Sequence, residues 1–193
     1  MLVFCEGDKT EPDYLNGLRR LPEVRRNAAV KIEIDTDHGV PLTLVKLAAE
    51  RKKRNDQVGS GAVDEYWCVF DVEWPRNHPD LDQAVRLARQ NDIKLAISNP
   101  CFEIWLLLHF KDHTRWTDTA TAESESKKHD GRTGKRIDAS VYLPKRAAAA
   151  RRTAALATMH KKNNKRTPHD NPSSTMFALL NALGQEARGD ERD

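Results

Sequence analysis

Residues 66–71 have the sequence YWCVFD, five apolar residues followed by an aspartate. An unbroken apolar run of this length is typical of a strand that is buried on both faces of a parallel sheet. Other strand signals lie before and after it, at residues 2–5, at the alternating Val30, Ile32 and Ile34, and at residues 93–98. The pattern therefore places residues 66–71 in the centre of a sheet.

Helix signals separate these strand signals. Thr10-Glu11-Pro12 combines a capping residue, an acid and a proline, and Pro41 and Pro79 each precede a stretch with helical spacing of apolar residues. Residues 101–110 are apolar nearly all round, which indicates a buried helix. The order βαβαβαβα predicts an α/β fold with a central, mostly parallel four-stranded sheet flanked by helices.

The chain divides into four segments by composition. Residues 1–110 form the predicted α/β core, and residues 111–140 are polar and without periodicity, which predicts a flexible insert. Residues 141–184 are predicted to be a helical, basic C-terminal part of the same domain, on the strength of their alanine content. Residues 185–193 are predicted to be a disordered tail.

Length and composition exclude several classes of protein. The chain has 193 residues, of which 32% are charged, and this length suits one domain with its own core. It contains no apolar run long enough to span a bilayer and no signal-peptide pattern, so we expect a cytoplasmic protein without membrane contact. The 3 cysteines show no CxxC spacing, which argues against a disulfide framework or a zinc ribbon.

The charge is unevenly distributed along the chain. Residues 127–170 contain 13 Lys/Arg against 3 Asp/Glu, within a chain whose net charge is only +3. Such a segment is suited to bind a polyanion such as nucleic acid, although a solvated charged insert is an equal alternative. The predicted nucleic-acid contacts are Lys145, Arg146, Arg151, Arg152, Lys161, Lys162, Lys165 and Arg166.

Acidic residues follow three of the predicted strands, and those after the second strand, Asp35 and Asp37, could equally be turn residues. Glu6 comes after the first strand, and Asp71 and Glu73 come at the end of the third. In an open parallel sheet the carboxyl ends of the strands form the usual ligand crevice, and residues i and i+2 of an extended chain point the same way. The three carboxylates therefore form a candidate site for Mg²⁺. The alternative is that acids simply end strands at ordinary turns.

Two further glutamates are candidate metal ligands. Glu103 lies in the apolar helix, where an ionised carboxylate needs a cation, a donor cluster or a metal, unless it only compensates the helix dipole. Glu11 opens the first helix and is either a ligand or a first-turn acid. The candidate supporting residues are Gly7, Lys9, Ser98 and Asn99. Trp67, Trp74 and Trp105 are interpreted as core or rim packing rather than as base-stacking surfaces.

Four blocks of the sequence resemble the RloB-like family. They are CEGDKTEPDY at residues 5–14, FDVE at 70–73, SNPCFEIWLLLHF at 98–110 and NPSST at 171–175. The blocks occur in the family's order and span nearly the whole chain. The third block is the most specific of them.

The resemblance implies a Toprim-like fold related to the nuclease domains of OLD-type proteins. Such families occur in restriction-linked and abortive-infection loci of prokaryotes, often beside an AAA/ABC-type ATPase. By resemblance, Glu6 would act as general acid/base or metal ligand and Asp71 with Glu73 would hold Mg²⁺ or Mn²⁺. Glu73 stands where the general Toprim pattern has aspartate, which leaves its exact role open. Glu11 and Glu103 would be supporting ligands or orienting groups.

The expected function is a Mg²⁺-dependent nuclease, acting on DNA or RNA as the effector of an antiviral or abortive-infection system. The main alternative is a non-catalytic Toprim-like sensor or binding subunit of such a system. A receiver-type phosphoacceptor domain is a third alternative, but it would need an aspartate pair where Glu6 stands. An ATPase subunit is the expected protein partner, and homo-oligomer formation stays open.

Overall fold

The computed structural model describes residues 1–26, 33–35, 39–59 and 63–184. Within these ranges the chain forms one five-stranded sheet. The strands are β1 (Leu2–Cys5), β2 (Glu33–Ile34), β3 (Tyr66–Asp71), β4 (Lys94–Asn99) and β5 (Ser173–Ser174). They lie in the order β2-β1-β3-β4-β5, with β5 antiparallel to β4 and every other neighbouring pair parallel.

Helices connect the strands and cover both faces of the sheet. In chain order they are α1 (Thr10–Leu18), α2 (Pro22–Arg26), α3 (Pro41–Val58), α4 (Leu81–Gln90), α5 (Glu103–Leu108), α6 (Thr119–Asp130), α7 (Ala139–Tyr142), α8 (Arg146–Lys162) and α9 (Met176–Ala182). A 3₁₀ turn at Leu143–Lys145 joins α7 to α8.

The sheet separates two hydrophobic cores. Alternate residues of a strand face opposite sides, so Val3 of β1 packs into one core and Phe4 into the other. The larger core lies between the sheet and helices α1, α5, α8 and α9, and Trp105 is at its centre with no exposed surface. The smaller core lies under α3 and α4. This layering confirms the predicted α/β fold with a mostly parallel sheet flanked by helices.

Some predictions lie outside the described residues. Val30 and Ile32 of the predicted second strand are among them, whereas Ile34 belongs to β2. The predicted tail, residues 185–193, is also outside the described ranges.

The prediction of four strands missed β5. This strand has two residues, both serine, and Ser174 Oγ lies 3.2 Å from Ser98 Oγ on β4. Ser174 Oγ also accepts a hydrogen bond at 3.3 Å from the backbone N–H of Met176, the first residue of α9. Two small polar residues carry no strand periodicity, because their pairing depends on a neighbouring strand that is far away in sequence.

The segment 111–140 was predicted as a loop, and this is wrong for residues 119–130, which form α6. The Asp118 side chain caps the helix by accepting a hydrogen bond from Thr121 N–H at 2.7 Å, and Gly131 ends it with φ of 69°. Periodicity missed this helix because Ala122 is its only buried apolar residue. The aspartate and the glycine at its two ends were the available signals.

Candidate functional site

The ends of β1 and β3 lie side by side. Cys5 is opposite Val69 in the parallel register, so the residue after β1 reaches the end of β3. Glu6 Oε2 accepts a hydrogen bond from the Asp71 backbone N–H at 2.9 Å. The strand register therefore brings together two acids that are 65 residues apart in sequence.

These strand ends form the floor of a cleft of about 440 Å³. The loop after β1, the start of α1 and the start of α5 form its walls. All five predicted metal ligands line the cleft, namely Glu6, Glu11, Asp71, Glu73 and Glu103. Asp8 and Glu123 add further carboxylates, and Lys9 and Lys135 are the lysines in the lining.

The carboxyl group of Asp71 is buried and has an oxygen atom without a hydrogen bond in the described part of the chain. Its Oδ1 atom is buried and meets no hydrogen-bond donor among the described residues. Burial raises the pKa of Asp71 well above its usual range, and three neighbouring glutamates raise it further. A buried oxygen with unused acceptor capacity is costly unless a proton or a cation satisfies it.

Glu6 is held from two sides. Besides the Asp71 backbone N–H, His78 approaches it, with Nε2 at 2.8 Å from Glu6 Oε1. Burial raises the pKa of Glu6, and the hydrogen bond from Asp71 N–H and the approach of His78 oppose that rise. Sequence analysis missed His78, because it lies in the loop between β3 and α4, with no pattern that links it to Glu6.

Glu11 turns back towards the loop after β1. Its Oε1 accepts a hydrogen bond from Gly7 N–H at 3.2 Å, and burial raises the pKa of Glu11 to about 7. A Cβ atom on residue 7 would lie 2.5 Å from Glu11 Oε2, and Gly7 is not among the residues with positive φ. Glycine at position 7 therefore allows the close approach of the Glu11 carboxyl group.

Glu73 is oriented by the first residue of α6, Thr119. Glu73 Oε2 accepts a hydrogen bond from Thr119 Oγ1 at 3.1 Å. Its own backbone has φ of 67°, and its N–H donates to Pro100 O at 2.7 Å. Val72, between the two acids, is buried in the core. The positions i and i+2 of this strand end thus both line the cleft, as their spacing indicated.

Glu103 has an arginine partner that the sequence did not indicate. Arg132 Nη2 lies 3.5 Å from Glu103 Oε1, and the arginine side chain is only 7% exposed. Arg132 also binds Asp130, at 2.8 Å, and Ser126, at 2.9 Å. The cation that a buried Glu103 carboxylate needs is therefore supplied by the Arg132 side chain in the described structure.

The supporting residues divide into two groups. Gly7 and Lys9 line the cleft, and Lys9 Nζ lies 3.9 Å from Asp8 Oδ2. Ser98 and Asn99 instead belong to the interface with the C-terminal segment, where Asn99 Nδ2 donates to Pro168 O at 2.8 Å. Their contacts are structural, and neither residue is part of the cleft lining.

The eight predicted nucleic-acid contacts lie on or next to α8 and do not line the cleft. Arg146 is bound to Glu23 at 2.7 Å, and Arg152 to Asp112 at 2.8 Å. Lys145 Nζ donates to Val141 O at 3.1 Å. The other five are exposed, namely Arg151, Lys161, Lys162, Lys165 and Arg166. The C-terminal end of α8 and the residues after it therefore carry a basic cluster, which we define as Lys161, Lys162, Lys165 and Arg166.

The donor chemistry of the cleft fits a hard divalent cation. Carboxylate oxygens are the preferred ligands of Mg²⁺ and Mn²⁺. Asp71 Oδ1 makes no hydrogen bond within the described ranges, so it is available as a ligand. The side chains are nevertheless not arranged around one point, since no group of three or more His, Cys, Asp or Glu among the described residues forms a ready metal site. Glu6, Glu11, Glu73 and Glu103 each have a protein partner instead.

Comparison with known proteins gives one match. A family model described as RloB-like protein matches residues 1–183. No curated protein and no solved structure matches the chain. In the described part of the molecule, none of the helices combines the length and apolar character that a membrane span requires.

Proposed function

The chain belongs to the RloB-like protein family, and from this premise we propose that it is a Toprim-like, metal-dependent nuclease that hydrolyses phosphodiester bonds at the acidic cleft. The carrying observation is the buried Asp71 Oδ1, which lacks a donor in the described structure and is surrounded by carboxylates that raise its pKa. Such an arrangement is destabilising unless a proton or a cation satisfies the buried oxygen, and it is typical of sites that bind a cation.

Asp71 and Glu73 are the proposed ligands, with Glu6 or Glu11 completing the set. When bound there, Mg²⁺ or Mn²⁺ supplies positive charge to the scissile phosphate and helps to ionise the attacking water. Thr119 holds Glu73 in place through its hydrogen bond of 3.1 Å, so this side chain is oriented before a ligand arrives.

Glu6 is the proposed general acid/base. Burial raises its pKa, which brings a carboxyl group closer to the range in which it exchanges protons at neutral pH. His78, at 2.8 Å from Glu6 Oε1, orients the carboxyl group and offers a route for a proton to leave the cleft. Glu11, with a pKa of about 7, is a second group that holds a proton near neutral pH.

The test is a cleavage assay with supercoiled plasmid, single-stranded DNA and tRNA as substrates, in Mg²⁺ or Mn²⁺. We expect the wild type to cut at least one of them, and we expect Glu6→Gln and Asp71→Asn to reduce the rate by at least about 100-fold. Glu50→Gln is the matched control, since Glu50 is an exposed acid on α3. Equal cleavage by Asp71→Asn and the wild type would contradict the proposal.

The same proposal includes a biological setting. By family resemblance, the chain is the effector of a prokaryotic antiviral or abortive-infection system that works with an AAA/ABC-type ATPase. If an ATPase of this type is encoded beside the chain, co-expression of the two proteins should raise the rate of cleavage, and this should require Asp71. Cleavage assays with and without the ATPase and ATP measure the effect.

One observation favours a second candidate, a non-catalytic sensor or binding subunit. Within the described ranges the carboxylates form no ready metal group, and Glu103 is neutralised by Arg132. Calorimetric titration with Mn²⁺ separates the two candidates. A nuclease site binds the ion and loses it in Asp71→Asn, whereas a binding subunit gives the same weak heat with both proteins.

A further inference from the structure

Two tryptophan side chains are exposed together beside the cleft. Trp74 is 42% exposed and Trp116 is 55% exposed, although indole rings of soluble proteins are mostly buried. Their rings meet edge to face, with centroids 5.6 Å apart and an interplanar angle of 86°. Trp67 and Trp105 are buried in the core, whereas Trp74 lies at the surface, where its ring packs against Trp116.

Trp74 is tied to the cleft by its backbone. It directly follows Glu73, and its N–H donates to Thr119 Oγ1 at 3.1 Å. The same hydroxyl donates to Glu73 Oε2 at 3.1 Å. One threonine therefore binds both the Glu73 carboxyl group, which lines the cleft, and the backbone of Trp74.

The backbone next to Trp116 is fixed by hydrogen bonds between Thr117 and Asn171. The next residue, Thr117, is buried, and its N–H donates to Asn171 Oδ1 at 3.1 Å. Asn171 Nδ2 in turn donates to Thr117 O at 2.8 Å. Hydrogen bonds therefore fix the backbone next to both indole rings. Less conformational entropy is lost when a ligand binds to side chains on such ordered segments.

Positive charge accompanies the pair. Arg76 lies two residues after Trp74 and Arg115 directly precedes Trp116, and both arginines are exposed. Exposed aromatic rings combined with arginine or lysine are the surface chemistry of proteins that bind single-stranded nucleic acid, because bases stack on the rings while cations meet the phosphates. This complementarity favours a nucleic-acid strand over an apolar protein surface as the ligand.

We propose that Trp74 and Trp116 stack an unpaired base of a nucleic-acid strand whose backbone continues into the acidic cleft. A base inside a continuous duplex has no free face for such stacking. The substrate class is therefore a single strand, an overhang or a loop. This inference rests on the proposed nuclease function, since it assigns the substrate of the same cleft.

Binding is measured separately from cleavage, in EDTA, with the wild type and with the Asp71→Asn background. The probes are a labelled oligothymidylate of about 12 nucleotides, a duplex of the same length and an abasic oligonucleotide of the same length. Trp116→Ala and Trp74→Ala should each weaken binding of the oligothymidylate by about tenfold, whereas Trp116→Phe should retain most of the affinity. The control is Val58→Ala, a truncation of an exposed apolar residue on α3.

Two readouts are specific to stacking. The abasic strand should bind wild type and variants equally weakly, and intrinsic tryptophan fluorescence should be quenched by oligothymidylate in the wild type but not in the Trp74→Ala/Trp116→Ala double variant. Affinities within twofold of the wild type in all variants, or no binding of any single strand by the wild type, would overturn the inference. So would a loss of self-association in the double variant with unchanged affinity for the oligonucleotide.

The failure of the inference differs from the failure of the proposed function. If stacking is observed but no substrate is cut, the nuclease proposal fails and the binding surface stands. If cleavage requires Asp71 but is the same in both tryptophan variants, with duplex and single strand equally good, the stacking inference fails alone.

Discussion

Glu11 illustrates how a single residue of the cleft is set by its surroundings. The residue is 6% exposed, and its carboxyl group accepts a hydrogen bond from Gly7 N–H at 3.2 Å, in a position where a Cβ atom on residue 7 would lie 2.5 Å from Glu11 Oε2. Burial raises the pKa of Glu11 to about 7, so in the absence of a cation this group holds a proton over much of the weakly acidic range. In the unfolded chain an ordinary glutamate releases its proton near pH 4.3.

The contribution of Glu11 to the stability of the metal-free protein should therefore decrease as the pH rises. Between the unfolded pKa of about 4.3 and the folded pKa of about 7, the folded state binds more protons than the unfolded state, so the free energy of unfolding falls through this window. The slope from one such group is at most ~1.4 kcal/mol per pH unit. Urea denaturation at pH 5, 6, 7 and 8 in EDTA measures it.

Glu11→Gln should make the slope of the free energy of unfolding against pH less negative, by the equivalent of about one bound proton, because the amide stays neutral in both states. Glu50→Gln, on the exposed side of α3, should leave the profile unchanged. Parallel profiles for Glu11→Gln and the wild type would show that Glu11 is ionised in the folded protein throughout the range.

At the level of elements, α6 and the turn after it stabilise the position of α5 through Arg132. Arg132 follows α6 and binds Glu103 of α5, Ser126 and Asp130 of α6, and the hydroxyl of Tyr142 in α7, at 3.1 Å. The arginine side chain is 7% exposed and that of Asp130 is 5% exposed. One buried cation therefore joins three helices and neutralises two buried carboxylates.

Arg132→Ala should lower the free energy of unfolding by about 3–5 kcal/mol, because it leaves both carboxylates buried without a cation. Urea denaturation at neutral pH is the measurement. Lys127→Ala is the control, since Lys127 makes a surface pair with Glu123 at 4.0 Å and should change stability by less than about 0.5 kcal/mol. A loss of less than about 1 kcal/mol in Arg132→Ala would contradict the stabilising role.

At the level of the whole molecule, opposite charges are separated. The acidic cleft lies at the carboxyl ends of the strands, whereas the basic cluster of Lys161, Lys162, Lys165 and Arg166 lies at the end of α8. All four side chains of the cluster are exposed. A polyanionic substrate is attracted by the cluster and repelled by the cleft until a cation is bound there, so binding and cleavage depend on different parts of the molecule.

Replacing all four cluster residues by glutamine should weaken nucleic-acid binding and reduce its salt dependence. The slope of log K against log salt should fall by about 0.7–0.9 for each residue that contacts a phosphate. The control removes four exposed charges on the opposite face of the sheet, with glutamine at Lys46, Lys53, Arg86 and Arg89. If both quadruple variants lose the same slope, binding depends on net charge and the cluster is not an interface.

The layout of the molecule was largely predictable from local sequence. Short apolar runs and the helices between them predicted the parallel strands, and in a parallel sheet the residues after neighbouring strands end at the same edge. For this reason the sequence alone predicted that Glu6, Asp71 and Glu73 lie at one edge of the sheet, and all three line the cleft. The elements that local sequence did not predict include the two-residue strand β5 and helix α6, whose one buried apolar residue gives too little periodicity for prediction.

The partners of the acids were decided only by the tertiary structure. His78 for Glu6, Thr119 for Glu73 and Arg132 for Glu103 all come from segments that have no periodic pattern. The exposure of Trp74 beside Trp116 likewise arises from two loops that are distant in sequence. The physical reason is that apolar periodicity records which face of an element is buried, whereas a hydrogen bond or an ion pair depends on where two separate segments meet in space.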